Sequence, residues 1–238
     1  MEAMSGTDYE GRDLEALADM VNYYAWIMDA FAPHVIGKVV EYGAGSGNVS
    51  EKLLPRAKHL TLVEPSSLLI DALRARFAAS ATVEVVRATL ERHIAGAGDA
   101  SFDAAILVNV LEHIEDDRNA LANLFRILRP GGHLLVFVPA MQWLMSKLDR
   151  LHGHFRRYYK ADLKAKVTAA GGEVMHCRYF DMIGVAPWLV LNRAFGITTF
   201  NRPMISFHDK FVVPVSRAIE TVVAPPFGKN LILVAKKR

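Results

Sequence analysis

Glu41-Tyr42-Gly43-Ala44-Gly45-Ser46-Gly47-Asn48 closes a short apolar run, Lys38 to Tyr42, and leads into a helical stretch, Asn48 to Leu54. Glycines at alternate positions let a backbone turn tightly and approach a ligand with no Cβ in the way. Strand, glycine-rich turn and helix in that order open a nucleotide-binding type of α/β fold. The dinucleotide fingerprint, G-x-G-x-x-G, would place its third glycine at position 48, where Asn48 stands. The spacing here is G-x-G-x-G, and an acid, Glu41, precedes it.

Outward from that turn the pattern repeats. His59 to Val63 reads as a second strand, Leu68 to Phe77 as a helix and Val83 to Val86 as a third strand. Ala104 to Val108 is apolar throughout, as a strand buried on both faces must be. Asp117 to Leu128 reads as a helix stopped by Pro130-Gly131-Gly132, and His133 to Val138 as a fifth strand. Strands alternating with helices predict a parallel sheet covered on both faces. Upstream, Leu14, Leu17, Val21, Tyr24, Ile27, Met28 and Phe31 recur at helical spacing until Pro33. Downstream of Pro139 the regularity breaks. Met141 to Tyr159 has no clean period, Lys160 to Ala170 is helical, and Glu173 to Tyr179 is strand-like. Asp181 to Pro226 is apolar and punctuated by prolines, with a helical pattern around Phe211 to Val223, and Lys229 to Lys236 is a last strand. One domain is expected, with residues 1–35 as a helical cap, 36–140 as a cofactor-binding core and 141–238 as an acceptor-side lid with the final strands.

Composition narrows the class. The chain has 238 residues, 52% of them hydrophobic, enough for one substantial core without metal or disulfide support. Its single cysteine, Cys177, excludes an intrachain disulfide framework and reads as a buried or half-buried thiol. Met1 to Arg12 is polar and acidic, unlike an export signal, and no run approaches the ~20 apolar residues that span a bilayer. A cytoplasmic protein is expected. The net charge of +3 is too small to imply nucleic acid.

Three stretches, Glu41 to Asn48, Phe102 to Ile114 and Leu128 to Leu134, together resemble the class I S-adenosylmethionine-dependent methyltransferases, over roughly Val39 to Val138. The resemblance implies a Rossmann-like α/β fold with a mostly parallel seven-stranded sheet, an inserted lid and S-adenosyl-L-methionine as cofactor. It places Gly43, Ala44, Gly45 and Gly47 against the methionine portion, with Glu41 acting around the amino group. Glu64, followed by Pro65, would accept hydrogen bonds from the ribose hydroxyls, each worth about 1.5–3 kcal/mol. An acid there serves a dinucleotide equally well. The backbone of Asn109 and Val110 would face the methionine end. Where the family often carries an adenine-binding aspartate, this chain has Thr89, leaving its hydroxyl and the backbone of Leu90 to meet the ring.

Methyl transfer from a sulfonium needs alignment and exclusion of water, and a base only if the acceptor must lose a proton. His113, in the pair Glu112-His113, is one candidate base, though the pair reads equally as a loop brace. His152-Gly153-His154-Phe155-Arg156-Arg157-Tyr158-Tyr159 resembles a Gly-His-x-Arg-Arg-Tyr segment in a group of bacterial methyltransferases. His154 is its candidate base, Arg157 a bidentate clamp for a carboxylate or phosphate, and Tyr158 a third acceptor contact. His152 and His154 lack a third ligand at useful spacing, so no metal is expected. No long basic stripe, RNA-binding module or Asn-Pro-Pro-Tyr loop is present, so nucleic acid is not the expected substrate. Pro187 to Leu191, with Phe195, Ile197 and Phe200, reads as a lid, or else as a wall for a hydrophobic acceptor or a contact with a membrane surface or second subunit. Tyr23, Tyr24 and Trp26 are expected in the core, the alternative being that they close the pocket. The expected activity is methyl transfer to oxygen or nitrogen of a small molecule, such as a glycan precursor, lipid or secondary metabolite. A nicotinamide-dependent oxidoreductase and a non-catalytic scaffold are the rivals.

Overall fold

The computed structural model describes residues 20–198 and 202–238. Leu14, Leu17 and Phe200 therefore lie outside the described residues. Seven strands form one sheet: β1 (Lys38–Tyr42), β2 (His59–Val63), β3 (Val83–Val86), β4 (Phe102–Val108), β5 (Leu128–Pro139), β6 (Gly172–Phe180) and β7 (Asn230–Lys237). Their order is β3-β2-β1-β4-β5-β7-β6. β1 to β5 pair in parallel, and β7 inserts antiparallel between β5 and β6.

The helices are α1 (Val21–Phe31), α2 (Ser50–Leu53), α3 (Ile70–Phe77), α4 (Leu90–Gly96), α5 (Asp117–Ile127), α6 (Lys147–Leu151), α7 (Lys160–Ala169), α8 (Val185–Pro187), α9 (Arg202–Phe207) and α10 (Val213–Val222). Successive strand residues point to opposite faces, and two cores result. Val39, Ile106, Phe137 and Ile232 pack with Phe31 of α1 and Leu73 of α3. Val40, Leu107, Val136 and Leu233 pack with Leu121 and Leu124 of α5 and Leu163 of α7.

The structure corrects one expectation and adds to the sequence reading at two further places. Pro130-Gly131-Gly132 does not precede β5 but bulges within it: Phe102 pairs with Leu128, and Ala104 next pairs with His133. Gly131 takes a left-handed φ of +78° there, and Arg129 anchors the bulge on the Asp103 carboxylate at 2.8 Å. Leu90 to Gly96 forms α4, a helix whose apolar period is too short to read; Thr89 caps it by accepting a bond from the Arg92 N–H. The apolar stretch after β6 is largely helical, with α8 running on as a π-turn over Trp188–Ala194 and α9 joined to α10 by another over His208–Val212. No helix among the described residues is long and apolar enough to cross a membrane.

That late segment holds the first helix in place. Met20, at the start of α1, offers no side-chain cap. The buried Asp209 carboxylate replaces it, accepting from the backbone N–H of Asn22 at 3.0 Å and of Tyr23 at 2.9 Å, and from the Asn22 amide at 3.1 Å. A negative charge at a helix N-terminus also meets the helix dipole favourably. One turn on, Trp26 and Tyr23 pack on Phe180, with ring centroids 3.8 and 5.5 Å away. Both aromatics are thus core. Asp209→Ala should cost about 2 kcal/mol, the loss of a charged cap together with burial of unmatched N–H groups. Urea denaturation checks this, and an unchanged midpoint would remove Asp209 from the account of how α1 docks.

Candidate functional site

Strand order reverses between β1 and β4, whose connections leave toward opposite sides of the sheet. Such a switch point opens a crevice beyond the carboxyl ends of the strands. The loop after β1 rises into it, with the N–H groups of Gly43 and Ala44 donating to the Val63 carbonyl at 2.8 and 3.2 Å. Gly43, Gly45 and Gly47 all have positive φ, +67°, +56° and +87°. Their reasons differ. A Cβ on Gly43 would lie 2.5 Å from Val110, and one on Gly47 2.7 Å from the Phe77 ring. A Cβ on Gly45 would meet only a backbone oxygen at 4.0 Å, so its open side is the one left for a ligand. Across the crevice Asn109 is also left-handed, φ +53°, held by its N–H on the Phe137 carbonyl at 2.8 Å. Strain of that kind in a non-glycine residue commonly marks a working site.

Two acids flank the loop. Glu64 is buried and bridges the strand ends, accepting from the Gly45 N–H at 2.7 Å and the Ser66 N–H at 2.9 Å. Burial raises its pKa, and these two donors oppose the rise. Glu41 is buried beneath the loop and accepts from the Ser50 hydroxyl at 2.5 Å. Burial pushes it up to about 8, with Glu64 adding to the rise and Ser50 opposing it. Tyr24 of α1 turns its hydroxyl toward Asn48 and Glu41, and burial pushes it up to about 12. Of the three early aromatics it alone faces the loop. Pro65 follows Glu64 half-buried, while Leu90 is buried in the first turn of α4. The Thr89 hydroxyl oxygen, expected to meet adenine, is engaged by the Arg92 N–H at 3.3 Å.

On the other side of the crevice the loops after β4 and β5 meet. The Phe155 N–H donates to the Glu112 carbonyl at 2.9 Å, tying them together. His154 lies beside His113, with perpendicular rings 4.6 Å apart. Its Nδ1 is 3.0 Å from Asp149 Oδ1. Asp149 is buried at the start of α6; burial alone would raise its pKa, but His154, Arg157 and Ser146 overcome this and hold it far below the carboxylate range. Burial, and then the imidazoles of His154 and His152, lower the His113 pKa.

Arg157 and Tyr158 stand elsewhere than expected. Arg157 is 4% exposed; its Nε donates to Asp149 at 2.8 Å, its Nη1 to the Ala140 carbonyl at 3.2 Å, and its guanidinium stacks 4.5 Å from the centre of the Trp188 ring. Tyr158 is fully buried, donating to Asp117 at 2.8 Å within a cluster that includes Lys166 and Arg156. Both position the loop and neither offers a group to an acceptor. Sequence reasoning missed Asp149, whose signal was Ser146 three residues before it, a capping box. It also sought a third metal ligand along the chain from His152 and His154, whereas the fold brings up Glu112 and His113 from the loop after β4.

Residues 40–136 match the methyltransferase domain family. That stretch has the sequence of a methyltransferase domain. Over 114 residues it is 32% identical to an uncharacterised methyltransferase of Mycobacterium tuberculosis, covering 48% of this chain and 56% of the relative. It is 31% identical over 103 residues to nodulation protein S of Rhizobium tropici, 42% of each chain. The chain spans about half the length of the curated relatives it matches. In fold it is similar to an S-adenosylmethionine-dependent methyltransferase of Mesorhizobium loti, with TM-score 0.61, 18% identity and coverage of 91% of this chain and 98% of that one. A methyltransferase solved in complex with the Haloferax volcanii Trm112 activator gives TM-score 0.65 at 16% identity, covering 95% and 94%. The matched segment runs from β1 to β5, the part that builds the crevice.

The glycines of this loop differ in how tightly they are packed. Gly47→Ala should destabilise the fold by about 2–3 kcal/mol, through a left-handed alanine and the clash with Phe77. Gly45→Ala should cost about 1–2 kcal/mol, backbone strain alone. Urea melts of the two variants compare them directly, and equal losses would refute that difference.

Proposed function

We propose that the chain transfers a methyl group from S-adenosyl-L-methionine to an oxygen or nitrogen of a small-molecule acceptor. One observation carries the reading: two buried acids, Glu41 and Glu64, flank an alternate-glycine loop at the switch point of the sheet. Glu64 suits a ribose diol. Glu41 suits a cationic amino group, which draws out its carboxylate form, whereas the pyrophosphate that a nicotinamide dinucleotide lays on such a loop would hold it protonated and gain nothing from it. In this reading Gly45 leaves room for the methionine portion, Tyr24 closes it from above, and Val110 and Asn109 floor the sulfonium end. Thr89 and Leu90 border the adenine.

The acceptor enters between the loops after β4 and β5, where Glu112, His113 and His154 are the groups able to manage a proton. Exposed apolar side chains of the segment after β6, Phe207, Phe211 and Val215, support an acceptor with a lipid portion over a wholly hydrophilic one. Glycan precursors and secondary metabolites of similar character fit the same opening.

Calorimetry with S-adenosylmethionine, S-adenosylhomocysteine and NADH should show micromolar binding of the two sulfur nucleosides and none of NADH. Glu64→Ala should weaken both by tenfold or more. Binding of NADH alone would overturn the assignment.

Protonation gives an independent test. With its pKa near 8 in the unliganded site, Glu41 is mostly neutral at neutral pH. A bound ammonium group favours the carboxylate, so binding should expel a proton and tighten as pH rises from about 6 to about 7.5. Titrations in phosphate and Tris, whose ionisation heats differ, should give different apparent enthalpies, and Glu41→Gln should remove most of that difference. Equal enthalpies in both buffers for the unaltered protein would place Glu41 outside the binding chemistry.

A further inference from the structure

Beyond the cofactor crevice, the three side chains assigned above to proton handling converge closely enough for another role. Glu112 and His113 follow β4, and His154 arrives from the loop after α6. One carboxylate oxygen and one nitrogen from each ring all lie within 4.8 Å of one another. Glu112 is completely buried, and neither of its carboxylate oxygens has a hydrogen-bond partner. A buried carboxylate without partners is costly, and proteins keep such a group where a proton or a cation meets it.

The surroundings favour a cation. Ligating histidines characteristically hand their second nitrogen to a carboxylate or a carbonyl, which fixes the ring and leaves the other nitrogen free. His154 does this through Nδ1 on Asp149 at 3.0 Å, leaving Nε2 outward. Asp149 is itself fixed by Arg157 at 2.8 Å and by the Ser146 hydroxyl at 2.7 Å. His113 makes the corresponding contact with the backbone of His152. Both rings are thereby preset.

We propose that Glu112, His113 and His154 form a two-histidine, one-carboxylate site for a single divalent first-row transition-metal ion. This donor set, with coordination positions left over, is typical of zinc and of non-haem iron or manganese centres. Ligands about 2.1 Å from one ion stand roughly 3–3.5 Å apart, so closing on the metal takes side-chain shifts of about an ångström. The Phe155 to Glu112 backbone bond already keeps the two loops in register. The His113 residue reaches the molecular surface although its ring is largely desolvated, so the remaining positions face outward on that side.

The site stands on its own residues, but its part in catalysis rests on the methyl-transfer reading. An acceptor hydroxyl bound to the ion would lose its proton to water at a lowered pKa. Its oxygen would then form the O–C bond as the C–S bond of the sulfonium breaks, and the neutral thioether would leave. His154 would in that case be a ligand and not a free base.

The test uses the full chain, free of any histidine tag and stripped of metal with chelator. Titration with Co2+ should develop visible absorption bands that saturate at one equivalent, and Zn2+ should displace them. Glu112→Gln and His154→Ala should each weaken binding by at least tenfold, while alanine at the exposed His176 should not. Glu112→Gln removes the unmatched charge, so its metal-free melting temperature should equal or exceed that of the unaltered chain. A folded Glu112→Gln protein that binds Co2+ as the original does would overturn the site, as would no saturable binding by the original. Calorimetry with S-adenosylmethionine on the same metal-free sample reads the cofactor crevice separately, so either reading can fail alone.

Discussion

The hydrogen bond from the Gly45 amide to the Glu64 carboxylate, 2.7 Å long, ties the loop after β1 to the end of β2 across the mouth of the crevice. It needs a backbone that bends through three left-handed glycines and an acid that stays buried. Neither condition holds unless β1 and β2 pair in register, Tyr42 beside Val63, so that the loop begins where Glu64 begins. Once they do, the other walls follow. Val110 fills the space that a side chain on Gly43 would take, which sets the loop after β4 against the loop after β1. Asn109 must then turn left-handed to bring Val110 there. The candidate cofactor crevice is thus a consequence of strand registry as much as of the glycines themselves.

Charge placement separates the two halves of the crevice. On the proposed cofactor side Glu41 and Glu64 are buried with, among the described residues, only hydroxyl or amide donors and no cation beside them. On the acceptor side Asp149 is saturated by Arg157, Ser146 and His154, and Tyr158 is locked to Asp117. The Gly-His-x-Arg-Arg-Tyr segment therefore spends its arginines and tyrosine on its own architecture. It leaves His154, with Glu112 and His113 behind it, as the groups with unspent capacity. Strength of motif and closeness to chemistry do not coincide within those six residues.

Reading the chain from its residues reached the core strands readily. Val39, Val40, Ala105 and Ile106 are apolar on consecutive positions because both faces of β1 and β4 are covered, and that pattern has no equally good helical reading. It was less successful at α4, where seven residues hold too few turns for a period to show, and at Pro130-Gly131-Gly132. There the residues that normally end an element form a bulge, because Asp103 and Arg129 hold the strand on either side of it. After β6 the helical pattern of Phe211 to Val223 was legible, and α10 bears it out, but the run before it was legible only as composition, since π-turns shift the helical phase there.

Local chemistry alone determined the cofactor half: alternate glycines between a strand and a helix, an acid before them, and another acid one strand on all act within a single β-α-β unit. Backbone sterics and short connections dictate their arrangement. The acceptor half was decided by tertiary structure. Glu112 and His113 come within reach of His154 only because β4 and β5 are neighbours and their following loops share a backbone hydrogen bond. Whether a histidine is a lone ring, a brace or a ligand depends on what is buried against it. Burial of a carboxylate such as Glu112, without partners, is a property of the packed molecule that no spacing along the chain expresses.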